Sequence, residues 1–389
     1  MKRFFIFLCS LSTVWVLSAQ SAMPRITPAD ERIPDYIELL LGKRVGILTN
    51  HTGVIGNTHI VDTLVNSGVN VTVIFAPEHG FRGTQSAGEK ILSSRDAYTG
   101  IEIVSLYGRN RIPRRNDVFK TDVILVDIQD VGVRFYTYLS SLYCMMQACA
   151  DTSTPMIILD RPNPNSMTVD GPVLNPTYRS FVGIVPVPVV YGMTLGEVAR
   201  MINGEGWLEE GRRCPLMVVP CLDYRRSMRY TLPIAPSPNL PTMRSIYLYP
   251  SLCYFEATPM SVGRGTDWPF EVVGHPKLDG EFRFTPQERI GARKPPCEGE
   301  LCRGIDLRSE PPVDSIISRG IDLNYLVDCF ERMGGDDRFF SPYLDSLFGT
   351  GYVRDMIVMG FTADEIKQQW QSEVENFKLK RQKYLIYEE

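Results

Sequence analysis

The chain has 389 residues, 44% of them hydrophobic, and a formal net charge of −4. That length provides for one large or two ordinary domains. The near-neutral balance gives no electrostatic reason to expect nucleic acid or an anionic membrane as a partner.

The first 22 residues read as a secretory signal peptide. Lys2 and Arg3 form its charged region, residues 4–17 are mostly apolar, and Ser18, Ala19, Ser21 and Ala22 supply small residues for cleavage between Ala19 and Met23. Cys9 lies too early in the apolar run to be a lipid-attachment cysteine. No later segment is apolar for long enough to span a bilayer. The mature protein is therefore expected in the periplasm or outside the cell, with no membrane span after signal cleavage. Export permits disulfides. Cys297 and Cys302, on either side of a Glu-Gly-Glu stretch, are candidates for a local one, whereas Cys144, Cys149, Cys253 and Cys329 sit among apolar residues as core.

Five strand-like runs follow, at 44–50, 69–76, 101–107, 122–127 and 155–160. Between the first two, Ile60, Leu64 and Val65 have helical spacing. Residues 138–150 are apolar on most faces and predict a buried helix. Residues 108–120 are basic, contain Pro113, and predict an exposed excursion. Strand–helix alternation with apolar strands predicts a parallel sheet covered on both faces. The expected architecture is α/β, with a Rossmann-like catalytic domain at 23–240 and a smaller α+β domain at 241–389. A helix at 192–202 starts with Thr194 and Glu197 in capping-box spacing. Residues 216–219 predict another strand. Residues 233–241 are proline-rich and predict a linker or rigid loop. The segment from 362 to the mid-380s predicts one long helix whose Ile366, Trp370, Val374 and Phe377 face the core.

Each predicted strand ends in polar residues: Asn50-His51, Glu78-His79, Tyr107, Asp127 with Gln129 and Asp130, and Asp160-Arg161. Parallel strands bring these ends to one rim, where open α/β sheets place their ligand crevice. Turn formation and helix capping are the alternative use of such residues. The turn after the first strand lacks dinucleotide spacing, and there is no Walker lysine, so no nucleotide cofactor is expected. Asp127, Asp130, Asp160, His51 and His79 are conceivable metal ligands, but no paired-histidine motif supports a metal.

Paired carboxylates suit glycoside hydrolysis, in which one carboxyl acts as acid and a second as base or nucleophile. Glu78, on a glycine-punctuated turn after an apolar strand, is the first candidate. Glu89 is a possible partner, in competition with Asp127, Asp130, Glu256 and Glu271. Tyr107, Tyr136 and Tyr138 are candidates to stack on sugar. Arg82, Arg134, Arg161 and Arg264 are candidates to grip a substrate carboxylate. A non-catalytic binder of anionic sugars and a metal-dependent hydrolase are the competing readings.

Five motifs stand in order: Pro-Glu-His-Gly-Phe-Arg-Gly (77–83), Asp-Ile-Gln-Asp-Val-Gly-Val-Arg-Phe-Tyr-Thr-Tyr (127–138), Asp-Arg-Pro-Asn-Pro (160–164), Pro-Ser-Pro-Asn (236–239) and Gly-Arg-Gly-Thr (263–266). Together they resemble the NamZ-type exo-β-N-acetylmuramidases, over roughly residues 42–389. The resemblance implies a Rossmann-like domain, a smaller C-terminal domain and a cleft between them. It implies release of terminal β-1,4-linked N-acetylmuramic acid from peptidoglycan fragments, without a cofactor. It places the catalytic glutamate at Glu78 and a second acidic position at Glu89. The motif residues His79, Gln129 and Asn163, and Asn50 from the polar strand ends, are further candidate substrate contacts. Tyr191 stands where the family pattern leads one to expect histidine.

Overall fold

A computed structural model describes residues 25–78, 80–81, 94–108 and 111–389. The expected signal peptide, and the expected site residues His79, Arg82 and Glu89, lie outside the described residues.

Seven strands form the main sheet. They are β1 (Arg44–Thr49), β2 (Asn70–Ala76), β3 (Ser94–Arg95), β4 (Glu102–Ser105), β5 (Val123–Asp127), β6 (Met156–Leu159) and β7 (Leu216–Val219). Their spatial order is β3-β4-β2-β1-β5-β6-β7. Every pairing is parallel except that of the short edge strand β3 with β4. Alternate side chains explain why the strands read as continuous apolar runs. Val45, Ile47, Val123, Leu125, Ile157 and Leu159 pack into one apolar cluster. Leu48, Ile124, Val126, Met156 and Ile158 pack into another on the opposite face.

Helices cover both faces. α1 (Ile60–Asn66) buries Ile60, Val61 and Leu64, and its cap residue His59 accepts from the Val61 N–H. The expected apolar Val65 is instead 39% exposed, with Val61 in its place. α2 (Tyr138–Thr152) is buried along most of its length. α3 (Leu195–Glu205) has both bonds of the Thr194/Glu197 capping box. The expected exposed excursion at 108–120 is partly anchored, because a helical turn at Arg115–Val118 buries Val118.

The C-terminal part adds α4 (Met243–Leu252) and a small antiparallel sheet. That sheet comprises β8 (Val272–His275), β9 (Phe282–Phe284) and β10 (Cys302–Asp306), with β10 in the middle. α5 (Tyr343–Phe348), α6 (Ala363–Gln369) and α7 (Gln371–Arg381) follow. The single long helix expected from 362 is broken between α6 and α7 at Trp370. Its fully buried indole donates to Asp170 Oδ1 at 2.8 Å. Ile366, Trp370, Val374 and Phe377 are all buried, in one apolar cluster that also contains Leu48 and Val73 of the main sheet. No described helix is long and apolar enough to cross a membrane. The expected local disulfide is not formed. Cys297 and Cys302 are free thiols, with Cys297 Sγ directed at the Pro259 carbonyl (3.6 Å) and Cys302 Sγ at that of Glu300 (3.8 Å).

Candidate active site

The strand order reverses at β1, between β2 and β5, which is where a doubly wound sheet opens its crevice. Here that crevice is filled. Asp127, at the end of β5, is fully buried and receives Arg161 through Nε (2.6 Å) and Nη2 (3.1 Å). Arg161 Nη2 also donates to Asp30 Oδ2 at 2.9 Å. The segment before β1 thus plugs the switch point with a buried acid–base–acid triad.

Most of the polar strand ends expected to meet substrate have similar internal duties. Asn50 donates to the Tyr138 hydroxyl (2.7 Å) and accepts from Thr52 N–H and Oγ1. Gln129 Nε2 donates to the carbonyls of Asp130 and Pro162. Asp130 accepts from Tyr191 Oη and from Gly132 N–H. Arg134 is fully buried and donates to the carbonyls of Pro172, Val187, Leu347 and Phe348. Asp160 accepts from Thr194 Oγ1 (2.6 Å), Tyr387 Oη (2.7 Å) and Gly196 N–H (2.9 Å). Asn163 donates to the Met193 carbonyl and packs on Gly132, where a Cβ would lie 2.1 Å from its amide oxygen. Asn50, Asp127, Gln129, Asp130, Arg134, Asp160, Arg161 and Asn163, expected to touch substrate, are each buried and bonded within the fold, and none of them is on the lining of the open cleft. Tyr191, at the position of the expected histidine, is fully buried against Asp130. Glu271, a competing carboxylate, is bound by Thr242 at the start of α4. Among the described residues, no three His, Cys, Asp or Glu side chains gather as a metal-holding group.

Asp130 has a measurable consequence. Burial pushes its carboxyl up to about 6, against the opposing bonds from Tyr191 and Gly132. A carboxyl whose folded pKa exceeds its unfolded value stabilises the fold when protonated, and that contribution is lost as pH rises from about 4 through about 6. Asp130→Asn keeps an acceptor for Tyr191 and Gly132 and removes the titration. Its Tm is expected to fall less than the wild-type Tm between pH 5 and pH 7.5, as followed by circular dichroism at constant ionic strength.

The open cleft lies beside the plugged crevice, over the ends of β2 and β4. It is lined by Glu78, Tyr107, Tyr136, Thr137 and Tyr138 from the sheet side. Tyr249, Glu256, Arg264, Phe270 and Tyr343 face them from the C-terminal part. Glu78 leaves β2 on a tight turn. Pro77 is buried, Gly80 has φ +74° and donates its N–H to the Pro77 carbonyl, and Phe81 anchors the exit edge-on to His59 at 4.6 Å. The half-buried Glu78 accepts at Oε2 from Thr137 Oγ1 at 2.7 Å.

Tyr136 and Tyr138 pack edge to face, 4.6 Å between centroids, and both donate to the Pro236 carbonyl. The proline-rich stretch is therefore a wall of the cleft, with Ser237 and Asn239 on its lining. Arg264 sits between Gly263 (φ +78°) and Gly265 (φ +81°), where a Cβ would meet the Trp268 and Gln287 carbonyl oxygens at 2.5 and 2.4 Å. Only glycine fits on both sides of this arginine. Arg264 Nε donates to Glu256 Oε1 at 2.7 Å, Nη2 shares that oxygen, and the guanidinium lies 5.2 Å from the Phe270 centroid. Of the expected site residues that are described, the cleft collects Glu78, Tyr107, Tyr136, Tyr138, Glu256 and Arg264. Sequence reasoning missed Thr137, Tyr249, Phe270 and Tyr343. Thr137 stands in a recognised motif, but nothing local marks the other three as cleft residues.

A family model described as "Exo-beta-N-acetylmuramidase NamZ, N-terminal" matches residues 45–244, and its C-terminal counterpart matches residues 247–387. The Peptidoglycan beta-N-acetylmuramidase NamZ of Bacillus subtilis (strain 168) is 35% identical over 419 residues, covering 99% of this chain and 100% of the relative. The crystal structure of a DUF1343 family protein, BF0379, from Bacteroides fragilis NCTC 9343 superposes with a TM-score of 0.88. It is 47% identical and covers 94% of this chain and 100% of its own. A second DUF1343 structure from that organism, BF0371, has a TM-score of 0.80 and 27% identity, with the same coverage.

Proposed function

Because the chain belongs to the exo-β-N-acetylmuramidase NamZ family of peptidoglycan-cleaving glycoside hydrolases, we propose that it removes N-acetylmuramic acid from the non-reducing ends of β-1,4-linked peptidoglycan fragments. The cleft carries this reading: a carboxyl at the end of β2 faces an aromatic wall and a fixed guanidinium. Glu78 is the general acid that protonates the glycosidic oxygen. Glu89, on the segment after it, is the second carboxylate. Glu256 suits that role less well, because Arg264 holds one of its oxygens. Export, cleavage of residues 1–22 and a role in cell-wall turnover complete the proposal, with muropeptide saccharides as partners and no cofactor.

N-acetylmuramic acid differs from N-acetylglucosamine by a lactyl ether ending in a carboxylate. Arg264 is the described cation on the cleft lining. Glu256 engages its Nε and Nη2, which leaves Nη1 to receive that carboxylate. The variant Arg264→Met, made together with Glu256→Gln so that no acid is stranded, is expected to raise KM for a muramide about 10- to 100-fold. It is also expected to lose the wild-type preference for the free lactyl acid over its methyl ester. Unchanged discrimination between acid and ester, measured as a ratio of kcat/KM, would remove Arg264 from recognition.

A further inference from the structure

Thr137 occupies the cap position of the fifteen-residue helix α2, yet its side chain makes no capping bond. A threonine there ordinarily accepts a first-turn N–H, worth about 1 kcal/mol to the helix. Its hydroxyl is directed instead at Glu78 Oε2, 2.7 Å away, from an element 59 residues further along the chain. The preceding and following tyrosines are held by the Pro236 carbonyl, so the backbone that carries Thr137 is fixed on both sides.

We propose that Thr137 is a positioning residue that holds Glu78 by Oε2 and thereby assigns Oε1 as the oxygen that carries and delivers the catalytic proton. This rests on the reading of Glu78 as general acid. In the cleavage step the Oε1–H bond breaks and its proton passes to the glycosidic oxygen. The bond from that oxygen to the anomeric carbon breaks with both electrons going to the oxygen, and Glu78 is left as a carboxylate. Thr137 remains a donor to Oε2 throughout, because a hydroxyl donor suits either protonation state of the acid. The anomeric carbon gains its new bond from the attacking oxygen, that of water or of the second carboxylate, and Glu78 Oε1 regains a proton from the attacking water or from solvent. Without the Thr137 bond the carboxyl is free to rotate about its terminal torsion, and displacements of about 1 Å in a reacting group lower rates about 100-fold.

The test compares Thr137→Val, which keeps shape and loses the donor, with Thr137→Ser, which keeps the donor. Each is assayed on a β-linked N-acetylmuramyl disaccharide and on a muramide with a nitrophenolate leaving group, which needs little proton assistance. Thr137→Val is expected to lower kcat about 10- to 100-fold on the disaccharide, several-fold less on the nitrophenyl substrate, and to leave KM unchanged. Thr137→Ser is expected to retain wild-type kcat on both. Equal losses on both substrates, a change in KM alone, or full activity of Thr137→Val would overturn the assignment. Glu78→Gln assayed in parallel separates the two claims. If it keeps disaccharide turnover, the general-acid reading itself falls; if it is inactive while Thr137→Val is unaffected, only the positioning role falls.

Discussion

Glu78→Gln is expected to lower kcat on an unactivated muramyl disaccharide by about 10²- to 10⁴-fold, the contribution of a positioned general acid. The amide cannot donate a catalytic proton, but its carbonyl can still accept the bond from Thr137. The side chain is half-buried and the change is isosteric, so Tm should be retained. Binding of the product sugar should also persist, because Arg264 and the tyrosine wall are untouched. Calorimetric binding with turnover lost is the expected pair of observations. Turnover within a few-fold of wild type would move the acid role to another residue.

The second large effect is on stability. Arg161→Met should destabilise the protein by about 3–5 kcal/mol, the usual result of removing one partner from a buried ionic cluster. Asp127 and Asp30 would then share an interior site without their cation, and both are at most 2% exposed. Chemical denaturation should show a lower midpoint with an unchanged slope. KM of the remaining folded enzyme should equal that of the wild type, because Arg161 lies at the plugged switch point and not in the cleft. A raised KM with unaltered stability would return Arg161 to substrate recognition.

These two residues also mark what the sequence makes legible and what it hides. The strands are legible because a sheet buried on both faces demands continuous β-branched runs, and residues 69–76 and 122–127 have them. The parallel arrangement brings the ends of the five expected strands to one side. The polar ends themselves are ambiguous, because the same residue types close a crevice or line one. Asp127 looks like a rim carboxylate until Asp30 and Arg161, far away in sequence, are seen to enclose it. Arg134 looks like a ligand clamp, but its guanidinium ties the region after β5 to the carbonyls of α5. Glu78 is legible because its turn is compact and local. Tyr249, Phe270 and Tyr343 are not, because only the packing of the C-terminal part against the sheet brings them opposite Glu78. Trp370 was legible as core but not as a helix break, since its hydrogen bond to Asp170 spans 200 residues.

The most direct test of the account is a time course of the purified protein on nitrophenyl β-N-acetylmuramide, run beside the matching β-N-acetylglucosaminide and in the presence of a chelator. The account predicts release of nitrophenolate from the muramide only, at the same rate with and without chelator. Release from neither substrate by the folded protein, equal release from both, or a rate abolished by chelator and restored by zinc or manganese would contradict it.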